Sequence, residues 1–102
     1  MNRTTIEEYN GWSNRETWAA NLHMTNDYTW YHKARALIDE YDGQISRLTG
    51  RPYMLARRLE ECFNDHLDDA DMPFEFEVMV LRDVGSMWRI DWVEIAEGWL
   101  HR

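Results

Sequence analysis

Polar and apolar positions along this chain alternate mainly with the period of a helix. The clearest case is Trp30, Ala34, Leu37, Ile38 and Tyr41, which fall at i, i+4, i+7, i+8 and i+11, with Lys33, Arg35, Asp39 and Glu40 off that face. Thr25-Asn26-Asp27 offers three capping residues just ahead, so the spacing predicts a helix over 27–41. Ile45 and Leu48 continue the same spacing beyond Gly43, whose helical penalty is only about 1 kcal/mol, and this allows the helix to run to 48. Thr49-Gly50-Arg51-Pro52 then stops it.

Upstream, residues 1–9 show no periodicity and read as an N-terminal arm. Asn10-Gly11 is a turn dipeptide, and the segment after it reads as the start of a helix over 14–24. Ser13 is placed to accept from the backbone N–H of Glu16, and the Glu16 side chain to reach back to the N–H of Ser13, the reciprocal capping box. Trp18 and Leu22, one turn apart, are the expected anchors.

Pro52 suits a first helical position, and Leu55, Leu59, Cys62, Phe63, His66 and Leu67 mark the buried side of a helix over 52–67. Arg57 and Glu61 are four apart and can pair on its outside. After the polar connection 68–73, Phe74-Glu75-Phe76-Glu77-Val78-Met79-Val80 fits both periods. It alternates as a strand does, while Phe74, Val78, Leu81, Gly85 and Trp88 keep helical spacing. Helix over 74–88 is favoured, because a lone strand would leave its backbone groups unpaired. The last helix is predicted over 91–101. Asp91 caps it, Glu94 closes a capping box, Ile90 and Ile95 sit at staple positions, and Trp92, Ile95, Ala96 and Trp99 share a face. The expected fold is all-α, a compact bundle of four to five short helices in one domain spanning 1–102.

Composition supports a real core at this length. Six tryptophans occur in 102 residues, and each ring can bury about 150–250 Å2, so a few suffice to close a small interior. An exposed one would mark a contact surface. The start Met1–Glu8 lacks the apolar run of a signal peptide, and Val78–Leu81 is far too short to cross a bilayer. The only cysteine, Cys62, cannot form an internal bridge, which fits a reducing compartment, and the expected location is the cytoplasm of a host cell, with no membrane partner.

Charge changes the picture more. Glu60, Glu61, Asp65, Asp68, Asp69, Asp71, Glu75 and Glu77 come with no basic residue between Arg58 and Arg82, and these eight acids equal the whole net charge of −8. Just before them Arg47, Arg51, Arg57 and Arg58 occur with no acid between Asp42 and Glu60. Such a balance disfavours direct nucleic-acid binding, since phosphate neutralisation supplies most of that affinity.

The segment Asn10-Gly11-Trp12-Ser13-Asn14-Arg15-Glu16-Thr17-Trp18 and the segment Asp91-Trp92-Val93-Glu94-Ile95-Ala96-Glu97-Gly98-Trp99 together resemble a family of small bacteriophage and plasmid proteins. Its members open with Asn-Gly-Trp-Thr-Asn-x-Glu-Thr-Trp and close with Val-Asn-Trp-x-Glu-Ile-Ala-x-x-Trp. This chain differs at Ser13 and Asp91, conservatively for caps, and at His23-Met24, where the family more often has Trp-Leu. The resemblance implies a helical accessory protein of a mobile element and carries no catalytic or binding residues with it.

Chemistry finds little support in the residue pattern. The histidines near acids, His23 and His32 about Asp27 and His66 before Asp68, lack the spacing of zinc or calcium ligands. Cys62 lies on an apolar stripe, where a thiol behaves as a small hydrophobe. No glycine-rich phosphate loop is present. No catalytic residue, metal or cofactor is expected, and the protein is not expected to be an enzyme. The remaining expectation is stoichiometric binding to a host or phage protein with a basic surface, through the eight acids from Glu60 to Glu77, as an inhibitor of host defence of the anti-CRISPR or anti-restriction type. The alternative is a non-inhibitory helical adaptor or small homo-oligomer using aromatic surface around Trp12, Tyr28 and Tyr31.

Overall fold

The computed structural model describes residues 11–41, 52–69 and 71–100. Among them are five α-helices and no strand: α1 (Arg15–Asn26), α2 (Tyr28–Glu40), α3 (Tyr53–Leu67), α4 (Phe74–Val84) and α5 (Trp92–Leu100), with a single 3-10 turn at Met87–Arg89 before α5. The all-α expectation holds, including at 74–80. The proposed extension of the second helix to 48 and the N-terminal arm lie outside the described residues.

Local chemistry sets each boundary. Asn14, not Ser13, caps α1: it is extended, and its side chain accepts from the N–H of Thr17 at 2.8 Å. A single extended residue, Asp27, then turns the chain. Its N–H closes α1 on the His23 carbonyl, and its carboxylate opens α2 by accepting from Trp30 N–H at 2.9 Å. Helix α3 starts after Pro52 without a side-chain cap. Helix α4 ends four residues short of its predicted limit because Gly85 takes φ 82°, a left-handed conformation that favours glycine and stops the helix.

Helix α3 packs principally against α5 and α2, and α1 against α2 and α4. At the centre Trp30 stacks on Phe63 (ring centroids 4.8 Å) and on His66 (4.5 Å), Trp92 meets the edge of Phe63 (5.2 Å), and Trp99 leans on Tyr31 (5.5 Å). Leu55, Leu59, Val80, Val84 and Ile95 fill the space between. Burying side chains of this size contributes roughly 1.5–3 kcal/mol each. The indole Nε1 of Trp30 is buried there without a hydrogen-bond partner among the described residues, a local cost set against the stacking.

The buried face of α1 is not the predicted one. Trp18 and Leu22 are half-buried, while Thr17, Ala20, Asn21 and Met24 are inside. Two of these are polar, which hides the face from a hydrophobic pattern. Both are satisfied: Thr17 Oγ1 accepts from Asp91 N–H at 2.9 Å, and Asn21 Oδ1 accepts from Trp99 Nε1 at 2.7 Å.

Candidate functional site

The motif residues at the two ends are spent on each other. Glu94 does not close a capping box on Asp91; its carboxylate crosses to Ser13, accepting the hydroxyl at 2.7 Å and the backbone N–H at 3.1 and 3.2 Å. Asp91 still caps α5, accepting from Glu94 N–H at 3.0 Å. Glu16 likewise turns from Ser13 to Arg89, 3.6 Å away. The reciprocal half of each predicted box is thus turned to the other end of the chain: Glu94 to the residue before the α1 cap, and Glu16 to the 3-10 turn ahead of α5. Asn14 Nδ2 donates to the Arg89 carbonyl at 2.9 Å, and the ring of Trp12 lies over Gly98. These groups hold the fold, and α1 is tied to α4 in the same manner: Asp83 takes His23 at 2.8 Å and Arg15 at 2.9 Å, and the hydrogen bond from His23, with the Arg15 guanidinium beside it, holds its carboxyl below the usual range.

Five of the eight acids line three separate hollows. Glu60 lines a groove of about 640 Å3 between α3 and the start of α5, shared with Arg57 and Arg89. Glu61 and Asp65 line a groove between α2 and α3 beside Lys33 and Arg58, and Glu61 lies 4.0 Å from Arg57, the expected i, i+4 pair. Asp69 and Asp71 come together on a hollow of about 350 Å3, joined by Asp27 and floored by Met72, Pro73 and Phe76. Asp68 caps α3 next to them, and Glu75 and Glu77 occupy the first turn of α4. All are exposed except the half-buried Glu77. Asp68, Asp69, Asp71 and Glu75 have no Lys or Arg partner among the described residues, in contrast to Glu61, Asp39, Glu16 and Asp83.

His66 forms the inner wall of the Asp69 and Asp71 hollow and is 7% exposed. Its Nε2 lies 3.6 Å from Asp27 and its Nδ1 3.5 Å from Lys33 Nζ. Lys33 can only donate, so Nδ1 accepts and the ring proton sits on Nε2, facing Asp27. Burial pushes His66 below its ordinary 6.5, Asp27 opposes this, and Lys33 adds to it. The periodic pattern had marked His66 as a helix residue and Asp27 as a cap; their meeting is a product of the α2–α3 packing. Burial also raises the thiol pKa of half-buried Cys62. Among the described residues no three His, Cys, Asp or Glu side chains converge as a metal cage requires, and no helix is long and apolar enough to cross a membrane.

A family pattern matches residues 5–83, well over half of the chain. The chain belongs to DUF7249, a family of unknown function. No curated protein and no solved structure matches it. The DUF7249 match contains the opening motif, the acid block and most of α4, and stops before the closing motif that completes the Ser13 and Glu94 contact.

The aromatic surface expected around Trp12, Tyr28 and Tyr31 is not continuous. Trp12 is half-buried over Gly98, and Tyr31 is half-buried against Trp99; Tyr28 alone is exposed, with His32 beside it at 4.2 Å.

Proposed function

We propose that this protein is a small acidic accessory protein of a phage or other mobile element that acts by stoichiometric binding to a host protein in the cytoplasm, without catalysis. The observation that carries the reading is the group of solvent-facing carboxylates Asp68, Asp69 and Asp71, which have no Lys or Arg partner among the described residues, beside a hollow with an apolar floor. Such a hollow suits a lysine or arginine of the partner: its aliphatic stem lies on Met72, Pro73 and Phe76 while its cation meets Asp69, Asp71 and Asp27. A surface rich in such side chains is typical of nucleic-acid-binding proteins. Occupation of a basic groove in a defence nuclease, of the CRISPR or restriction type, is the activity this chemistry serves best. The mobile-element setting rests on the two-motif resemblance. Glu60, Glu61 and Asp65 lie among cations and have a secondary part in this reading, extending the negative field around the hollow, as do Glu75 and Glu77.

The test is binding of the full chain to a candidate defence nuclease at two salt concentrations, with and without Asp69→Asn and Asp71→Asn. Affinity should fall steeply with salt, and the double variant should lose at least tenfold. The substitution is mild for the fold, since asparagine at 69 keeps the oxygen that accepts the Asp71 N–H at 2.8 Å. Salt-independent affinity, or affinity untouched by the double variant, rejects the reading.

A further inference from the structure

Helix α4 has two apolar faces. Val80 and Val84 turn into the core with Phe76 at their side. The second face runs Phe74, Val78 and Leu81 and reaches Gly85 at the helix end, the four-three spacing of a two-helix seam. The sequence pattern alone marks this second stripe as a buried face. In the structure its two ends point outward, Phe74 73% exposed and Leu81 38%, with Val78 half-buried between them, and Trp88 just beyond is 84% exposed. Among the described elements only α1 makes a substantial contact with α4, on the side of Asp83, away from this stripe.

We propose that this stripe is the contact between two copies of this chain, α4 lying antiparallel to α4 about a two-fold axis. Charge selects the occupant. Glu75 and Arg82 hold the same flank of the stripe seven residues apart, about 10 Å along the axis, too far to pair within one helix. Neither has an ion-pair partner among the described residues. In an antiparallel seam, same-flank positions of the two helices meet. When Val78 faces Leu81 of the second copy, Glu75 meets Arg82 of that copy, and the two-fold repeats the pair. The same register sets Phe74 over Gly85 of the second copy, where a Cβ would meet nothing within 4 Å, so the missing side chain leaves room for the ring. A parallel arrangement would use Glu77 against Arg82 instead and place Gly85 on Gly85, leaving that end of the seam empty. The acid-first, base-last order also complements the helix dipole, so a single copy bears no cost for carrying it.

With Phe74 at the two ends of the seam and Leu81 between, two copies bury on the order of 800–1,000 Å2, the size of a weak specific interface. Interfaces of that size are weak, so sedimentation equilibrium of the full chain from about 1 µM to about 1 mM tests the dimer. The wild type should dimerise, Leu81→Glu should be monomeric, and Glu75→Arg or Arg82→Glu should each weaken the dimer by about tenfold, while the two reversals together restore it to within about threefold. All three positions are exposed, and circular dichroism checks that each variant keeps its helices. A monomer across the range overturns the proposal. So does a dimer indifferent to Glu75→Arg, which would place the contact elsewhere or run the helices parallel, and so does a double reversal no better than the single ones.

Discussion

The Glu94 carboxylate takes the hydroxyl of Ser13 at 2.7 Å and its backbone N–H at 3.1 Å, across 81 positions of the chain. A carboxylate that accepts several donors from one residue fixes that residue in place. Ser13 opens the segment that leads into α1, and Glu94 sits in the first turn of α5. The contact therefore ties the segment that leads into α1 to the first turn of α5.

The first prediction is a coupling energy. Ser13→Ala and Glu94→Gln should each destabilise the protein, and the double variant should lose less than the sum, by about 1 kcal/mol. Urea unfolding of the four proteins in the cycle measures it. Strict additivity would show that the two side chains act independently, despite their geometry.

Asn21 and Trp99 give a second, deeper case. Replacing Asn21 with Leu keeps the forked shape, with somewhat greater bulk, but takes the Asn21 oxygen away from the buried Trp99 Nε1, and should cost about 1–3 kcal/mol. Adding Trp99→Phe removes the orphaned N–H, so Asn21→Leu should cost less in that background. Equal costs in both backgrounds would assign the loss to packing alone.

These two contacts also show where sequence reading stops. The faces of α2 and α3 were legible because Trp30, Ala34, Leu59 and Phe63 are apolar and periodic. The face of α1 was not, because Thr17 and Asn21 are polar and find their partners at the α5 cap Asp91 and at Trp99 on α5. Capping boxes at Ser13 and Asp91 were read from local spacing, but Glu94 and Glu16 found donors in distant segments, Ser13 and Arg89, and local rules carry no information about those. At α4 the pattern offered two apolar faces, Phe74-Val78-Leu81 and Phe76-Val80-Val84, and only packing against α1 decides which goes inside. For the candidate site, the acids were legible as a block, whereas their separation into hollows follows from α3 turning them to different sides. Asp27 and His66 were legible only as a cap and as a boundary residue.

His66 predicts a pH dependence. Its pKa is lowered in the fold and returns to about 6.5 on unfolding, so below that value the unfolded chain binds more protons than the native one. The contribution of neutral His66 is fully present above pH 6.5 and is lost as the pH falls toward the folded pKa. Asp83, also lowered in the fold, acts in a separate window, losing its contribution only as the pH drops below 3.8. Thermal unfolding from pH 7.5 downward should show stability falling below 6.5 in the wild type. In His66→Phe, which retains a ring against Trp30, that part of the fall should disappear, while the decline below 3.8 persists. An unchanged slope in the variant would remove His66 as its source.

Gly98 makes the last prediction, because two effects of opposite sign meet there. Glycine inside a helix costs about 1 kcal/mol relative to alanine, so Gly98→Ala should stabilise α5 if nothing else intervened. A Cβ at that position would lie 3.0 Å from Cη2 of Trp12, tighter than ordinary carbon–carbon contact, so the ring would have to give by a few tenths of an ångström. The indole is rigid, and its backbone is held by the left-handed Gly11 on one side and the Ser13 contact with Glu94 on the other, so the ring cannot slide aside without loosening one of them. The clash should outweigh the propensity gain, and Gly98→Ala should lower stability by about 0.5–1 kcal/mol. With Trp12→Ala already made, the obstruction is gone and the same substitution should raise stability by about 1 kcal/mol. Urea midpoints of the four proteins measure both signs. A stabilising Gly98→Ala in the presence of Trp12 would mean that the ring yields readily, and that the opening segment is held less firmly than its hydrogen bonds imply.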